Sequence, residues 1–533
     1  MNRELVDDVA DLVVVGGGPK ALYALADLDD ELARRHSAPG SRPLRVTVLE
    51  AATPGAGAVW DPNQPAHLLM NVDSRIVDAS CAAIPLTFSQ WQEGDARPFP
   101  PRADVGRYLA WSFERICESP RLEVTHRRVR AVTIRPEVDG WVCQAVDVTG
   151  SRAASERARR VLLATGHAGG VGIDHADVVD SSRGPRPGEP VVVRGASLTA
   201  FDVVMDLTSG RGGQWVVDSA VVSGLRYLPS GGEPSSITLM SRSGEPMLPK
   251  PVSIPAAVVD AVTAVTSTWT EGCTPDDAWW EAMADAAMAA AAASGASVTR
   301  EVLWARLDTS VTGAPDARWA GDVDRALGEV DGDPAWWWGR AWSAGYADVV
   351  RSMERAPRDV ELWSRWRARA ATLERWAFGP PLVTHLRLLA LRDAGYLRVA
   401  RGEDVQEHSV VIDAFTQGPG ISDTARPWDG VMWEPGRDRA PWDQLLTDGL
   451  VTVRPGERGV LTTPDAACVG ADGEPSEGLA ALGRPTEDPV IGHDSLQRRL
   501  HGDSRRWAHR LVTDWRSSQG VNSAHETEVG THG

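Results

Sequence analysis

Lysine is nearly absent from this chain. Of the 55 lysines and arginines in 533 residues, only Lys20 and Lys250 are lysines. That skew fits a compositional bias and by itself assigns no function. Cysteine is scarce as well. Cys81, Cys117, Cys143, Cys273 and Cys468 are scattered and odd in number, with no CxxC or CxxxxC pair. This excludes a redox-active disulfide and a cysteine-based zinc site, and it suits a reducing compartment. Positive charge is in deficit: 55 − 73 leaves a net −18. A surface so acidic repels phosphate backbones, which argues against a nucleic-acid partner. A local basic pocket for a small anion remains compatible with it. No run of about 18 apolar residues occurs, so no membrane span is expected. The acidic N-terminal stretch lacks the basic region and apolar core of a signal peptide. A cytoplasmic protein is therefore expected.

What is present is an ordinary globular composition, 42% hydrophobic and 24% charged, which excludes bulk disorder. The length suggests about three structural units. Phe and Tyr number only 6 and 5, against 22 Trp. Twelve of those Trp fall between Trp269 and Trp376, which marks that stretch as a separate unit.

Local patterning divides the chain. Leu12–Val15 reads as a buried parallel strand, residues 21–32 as a helix and residues 45–49 as a second strand. Tyr108–Cys117 reads as an amphipathic helix. Residues 121–165 alternate as antiparallel strands would and end in Val161-Leu162-Leu163-Ala164. A further strand begins at Val191. Residues 252–376 read as a helical insertion, with a helix from Asp276 stopped at Gly295. Strand-like runs return at 397–400, 409–412 and 450–453. The expected fold is α/β: two Rossmann-like dinucleotide-binding domains with a Trp- and Ala-rich helical insertion. The expected divisions are an FAD-binding part at 1–185 and a nicotinamide-binding part at 186–255. The insertion spans 256–378, the return to both domains 379–516, and a disordered tail 517–533.

The first turn, Gly16-Gly17-Gly18-Pro19-Lys20-Ala21, follows a strand and opens a helix. Gly16 permits the tight turn, Gly18 lets the backbone approach a pyrophosphate, and Ala21 lets helix and strand pack closely. Pro19 suits the first helical position. Glu50, at the end of the next strand, has the place and chemistry to accept from ribose hydroxyls. The other reading is a structural turn alone. A second turn, Gly195-Ala196-Ser197-Leu198-Thr199-Ala200, repeats this with Ser197 for the second glycine. Its partner strand, residues 237–240, ends at Arg242 between two serines. Arginine there suits a 2′-phosphate, favouring NADPH over NADH. The other reading is a degenerate domain. Two such units imply FAD at the first and a nicotinamide donor at the second.

These residues resemble the FAD/NAD(P)-binding flavin monooxygenases of the N-hydroxylating type. Further blocks carry the resemblance: His67-Leu68-Leu69-Met70-Asn71, Arg102 with Arg107-Tyr108-Leu109-Ala110-Trp111, Leu163-Ala164-Thr165-Gly166-His167, and Leu482-Gly483-Arg484-Pro485. The resemblance implies that Leu69, Met70 and Asn71 lie against the flavin and that Gly483 belongs to a segment closing over it. It departs from the family at His167, where tyrosine is usual, in lacking an F-x-G-x-x-x-H fingerprint, and in the insertion. Similar proteins include nitrosuccinate-forming aspartate N-monooxygenases. The implied activity is NADPH-dependent oxidation of a small amino compound, such as aspartate, by O2 through a C4a-hydroperoxyflavin.

Under that reading Asn71 contacts the reactive part of the flavin, or is merely a turn residue. Arg102 grips a flavin phosphate or a substrate carboxylate, or forms a surface ion pair. His167 relays a proton, or is a plain loop histidine. His67, His126, His175 and His385 have no metal-ligand spacing, so no metal is expected. The Trp cluster either roofs an apolar site or, more ordinarily, packs helices. Two other functions stay open: an NAD(P)H-dependent flavin oxidase or reductase that oxygenates nothing, and a flavoprotein interaction module. Oligomeric state, including a homo-oligomer, is left open.

Overall fold

The structure is a computed structural model. It describes residues 9–35, 42–93, 97–147, 149–150, 153–167, 173–221, 223–241, 244–308, 326, 333–402, 410–414, 418–421, 439–493 and 495–529. In chain order the N-terminal part contains β1 (Leu12–Val15), α1 (Pro19–Arg34), β2 (Leu44–Leu49), α2 (Phe88–Trp91) and α3 (Arg102–Cys117). It continues with β3 (Leu122–Arg127), β4 (Arg130–Glu137), β5 (Gly140–Val146), β6 (Ala153–Ala158) and β7 (Val161–Leu163). Next come α4 (His175–Val179), β8 (Pro190–Arg194), α5 (Leu198–Leu207), β9 (Gln214–Val217), β10 (Leu225–Leu228) and β11 (Ser236–Ser241).

The insertion holds α6 (Ala256–Thr266), α7 (Asp277–Ala293), α8 (Arg300–Asp308), α9 (Pro334–Ala344), α10 (Tyr346–Met353) and α11 (Val360–Ala377). The chain closes with α12 (Leu382–Asp393), β12 (Leu397–Arg401), β13 (Val410–Asp413), α13 (Trp442–Thr447), β14 (Ala467–Val469), β15 (Pro475–Ala481) and α14 (Asp503–Val529).

Two parallel sheets organise these elements. The first has the order β14-β15-β7-β1-β2-β3 and is parallel except for β14 against β15. Its central strand β1 is buried along its whole length, as an apolar run covered on both faces must be. The second sheet, β12-β11-β8-β13, is parallel throughout. Each sheet therefore takes two strands from later in the chain, β14 and β15 on one side of the first and β12 and β13 at the two edges of the second. β15 joins β7 through Leu479↔Val161, and β13 joins β8 through Val410↔Val191.

Three sequence expectations change. β3 is a parallel edge strand of the first sheet, not part of the antiparallel group, which is confined to β4-β5-β6. Its alternation reports one exposed face, and an edge strand shows that in either direction. Residues 450–453 form no strand. Val451 is buried, but the Leu450 carbonyl is taken by the Ser476 hydroxyl at 2.7 Å rather than by a ladder. Helix α14 runs on to Val529, past the point where a disordered tail was expected from 517. Trp507, Leu511 and Trp515 bury one face of its first turns, against the core that contains α1.

The Trp-rich stretch is a helical bundle with its own core. Trp280, Trp337, Trp338, Trp342 and Trp363 are almost wholly buried there. Trp363 stacks on Trp366 at 4.6 Å between ring centroids. Indoles of this size bury enough area to pack α7, α9 and α11 together. Among the described residues, no helix is long and apolar enough to cross a membrane.

Candidate functional site

The first glycine turn is shaped by what its backbone must approach. Gly16 sits at φ +89°, and a Cβ there would lie 2.4 Å from the Ala164 carbonyl oxygen. Only glycine accepts both conditions. At Gly17 a Cβ would meet the Glu50 side chain at 2.7 Å. In front of Gly18 the way is open, with the nearest atom to a Cβ at 3.8 Å. Glu50 reaches into the crook of the turn. One carboxylate oxygen accepts the Gly17 N–H at 2.6 Å, and the other accepts the Ala52 N–H at 2.7 Å. Each oxygen retains a further lone pair for a ligand hydroxyl. Helix α1 opens with Pro19 in its first turn, Gly18 as its cap residue and no side-chain cap. Its first amides therefore face outward, ready for phosphate oxygens. Ala21 is buried under the turn. This cradle fits a dinucleotide such as FAD.

Other expected residues gather beside it. Leu69 bridges Pro101, and the Met70 N–H bonds the Pro100 carbonyl at 2.8 Å. The Asn71 carbonyl accepts from the Lys250 ammonium. Burial, and then the charge of Arg340, push the Lys250 ammonium down to about 8. Gly483, at φ +87°, packs on Lys20, whose Cγ would lie 3.1 Å from a Cβ there. The C-terminal segment thus closes onto the start of α1.

The Gly483 N–H donates to His493 Nδ1 at 2.9 Å, so Nε2 carries the proton and donates to Asp503 at 2.9 Å. Burial lowers the His493 pKa despite the pull of Asp503, which keeps the ring in this neutral form. His493 gave no signal in sequence, because it lies ten residues from either partner in an unpatterned loop. Thr165 accepts from the Trp442 indole at 3.0 Å. His167 follows the C-terminal end of β7 and adjoins a stretch outside the described residues.

The second turn has the same build. Gly195 sits at φ +140°, with the Ala414 carbonyl oxygen 2.8 Å from a would-be Cβ. Helix α5 starts at Ser197 with no side-chain cap. The Ser197 hydroxyl instead accepts from Arg375 Nη1 at 2.8 Å. Arg375 comes from the end of α11 and was not expected from sequence. It brings a guanidinium from the insertion to the mouth of this turn. Arg242 lies outside the described residues.

Arg102 departs from expectation. It pairs with the protein's own Asp202 at 2.7 Å, and its Nε donates to the Leu69 carbonyl at 3.0 Å. The pair is largely buried, not a surface pair. Asp202 lies on α5, so the bond ties the second glycine-turn helix to the first domain. One turn along α5, fully buried Asp206 accepts from His67 and His175 at 2.6 Å each. Burial opposes the charge on His175, but the Asp206 hydrogen bond and the charges of Asp206 and Asp202 outweigh it and raise its pKa. Two histidines that looked unrelated in sequence thus share one carboxylate across the junction. Among the described residues, no group of His, Cys, Asp and Glu is arranged to hold a metal.

Residues 13–168 match a family described as FAD-NAD(P)-binding. The chain is 34% identical over 263 residues to a nitrosuccinic acid synthase of Aspergillus oryzae, covering 42% of this chain and 39% of that protein. It is 31% identical over 277 residues to a nitrosuccinate-forming L-aspartate N-monooxygenase of Streptomyces davaonensis, covering 42% of each. The match thus spans about two fifths of these relatives' length. Among solved structures, an ornithine N-hydroxylase of Kutzneria sp. 744 aligns at 12% identity and a TM-score of 0.47, over 96% of this chain and 100% of that one.

Proposed function

We propose that this protein is an FAD-dependent, NADPH-consuming monooxygenase that oxidises the amino group of a small amino acid, with aspartate as the specific substrate. The observation that carries the reading is the first turn: Glu50 held by the Gly17 amide, beside an open Gly18 and an uncapped helix start. The similarity to nitrosuccinate-forming enzymes supports the choice of substrate.

Gly18 and the first amides of α1 would hold the FAD pyrophosphate, and Glu50 its ribose. Gly195, Ser197 and Arg375 would receive the nicotinamide dinucleotide. Arginine at this turn suits the extra phosphate of NADPH. FAD held at the first turn, with a nicotinamide donor, would supply the redox chemistry that activates O2. The protein must then deliver a neutral amine, since an ammonium has no lone pair, and keep water away. Asn71 would contact the reactive part of the flavin through the segment 69–71, and His167 would relay a proton there.

The test is rapid mixing of the FAD-loaded protein with NADPH and then O2, with and without L-aspartate. The expected result is aspartate-stimulated NADPH oxidation and a nitrosuccinate product by mass spectrometry. NADPH oxidation that yields only hydrogen peroxide under every substrate would make the protein an oxidase or reductase.

A further inference from the structure

We propose that Lys250 and Arg340 form a dicationic subsite that takes the carboxylates of a dicarboxylic amino compound, where Arg340 of the insertion lies near the loop that carries Lys250 to Asn71. The inference rests on the monooxygenase reading above, which supplies the reason for a substrate at this place.

Three segments, 248–250, 339–340 and 375–380, meet to build the subsite. The end of α11 and the turn after it offer a row of carbonyls. The Leu248 N–H bonds the Arg375 carbonyl at 3.1 Å, and the Lys250 N–H bonds the Pro380 carbonyl at 2.8 Å. Between them, Arg340 Nη2 reaches the Trp376 carbonyl at 3.4 Å. Two glycines permit these approaches. A Cβ at Gly379 would overlap the Leu248 carbonyl oxygen at 1.7 Å, and one at Gly339 would lie 2.5 Å from the Trp376 carbonyl oxygen. Lys250 then extends to the Asn71 carbonyl, which joins the loop before the insertion to the flavin-side segment.

Neither cation has a carboxylate partner among the described residues. Arg340 is 4% exposed. Its guanidinium lies over Trp336 at 4.5 Å, and its Nε has no hydrogen-bond partner. Other largely buried arginines differ. Arg358 pairs with Glu457 at 3.0 Å, Arg306 lies 3.6 Å from Glu245, and Arg102 pairs with Asp202. A desolvated charge without a counter-ion is costly and is seldom retained without use. Burial alone holds the Arg340 guanidinium down to about 9. The fork of Arg340 suits a carboxylate, and the Lys250 ammonium a second negative charge. The same positive field disfavours an ammonium on the bound substrate and so favours the neutral amine. A diamino acid would instead bring another positive charge to the site.

The test uses the full-length FAD-loaded protein, with thermal melting and calorimetric titration against L-aspartate, succinate and L-ornithine. Aspartate and succinate should raise the wild-type Tm, and ornithine should not. Lys250→Met and Arg340→Met should each weaken succinate binding about tenfold or more, the cost of a lost charge-assisted hydrogen bond. Their unliganded Tm should equal or exceed that of wild type, because a desolvated charge is gone. Arg340→Lys, which keeps the charge and gives up the fork, should recover part of the binding.

Succinate affinity within twofold of wild type in both methionine variants would overturn the subsite, as would equal stabilisation by ornithine. A fall in unliganded Tm in both, without rescue by Arg340→Lys, would make the cations structural and also overturn it. Cation-dependent succinate binding without any aspartate oxygenation would leave the subsite standing and remove the monooxygenase reading. Aspartate oxygenation with normal binding in the variants would do the reverse.

Discussion

Glu50 shows how a single side chain can hold a binding turn in shape. Its carboxylate accepts the amides of Gly17 and Ala52, and it keeps lone pairs for a ligand. Glu50→Ala should therefore weaken FAD binding by about 10- to 100-fold, the range for losing a charged hydrogen bond. The flavin content of the purified variant, followed by titration with FAD, checks this. The residue was legible in sequence because its place is fixed by short-range order: a strand end a set distance after a glycine turn. Arg102 was legible only as something charged near the site. Whether it meets a phosphate, a substrate or an aspartate depends on α5, which lies a hundred residues later. The two lysines were set aside as compositional, yet one lies under Gly483 and the other reaches Asn71. Nothing within a few residues of Lys250 distinguishes it from a surface lysine.

At the scale of elements, helix α5 joins the two dinucleotide-binding units through Asp202 and Asp206. Arg102 and His67 come from one side, and His175 leads in from α4. His175 has a pKa raised above its ordinary 6.5. A group raised on folding lends its full stabilisation below the ordinary value and loses it as pH rises through the raised one. The junction should therefore loosen with rising pH. Thermal melting from pH 6 to pH 8.5 should show a fall in Tm that is smaller in His175→Gln. Equal slopes for the two proteins would remove His175 from the account.

The insertion is held to the second unit by backbone contact as well as by the Arg375 side chain on Ser197. Gly379→Ala forces a methyl into the Leu248 carbonyl. It should cost about 1–3 kcal/mol, as overpacking does, with a lower urea midpoint as the readout.

For the whole molecule, the chain's two ends form one unit. β15 lies beside β7, and Gly483 packs on Lys20. The Tyr23 hydroxyl bonds the Leu496 carbonyl at 2.9 Å, and Arg498 pairs with Asp27 at 2.6 Å. A chain ended after Val453 should therefore fail to retain flavin. One ended after Ser518 should keep it, with Tm within about 1 °C, because Trp507, Leu511 and Trp515 remain. Flavin absorbance after gel filtration distinguishes the two.

The sequence by itself determined the two glycine turns, the strands that precede them, the acid at Glu50 and the separateness of the Trp-rich stretch. Each follows from sterics, periodicity or composition within about 40 residues, where the chain's own geometry sets the outcome. Only the tertiary structure decided that β3 is parallel and that Arg102 belongs to Asp202. It alone put His67 and His175 on Asp206, Lys250 on the Asn71 carbonyl and Arg340 on the Trp376 carbonyl. Those pairings join residues tens to hundreds of positions apart. They exist because burying apolar faces brings distant segments together, and polar groups caught between those faces must then find partners there.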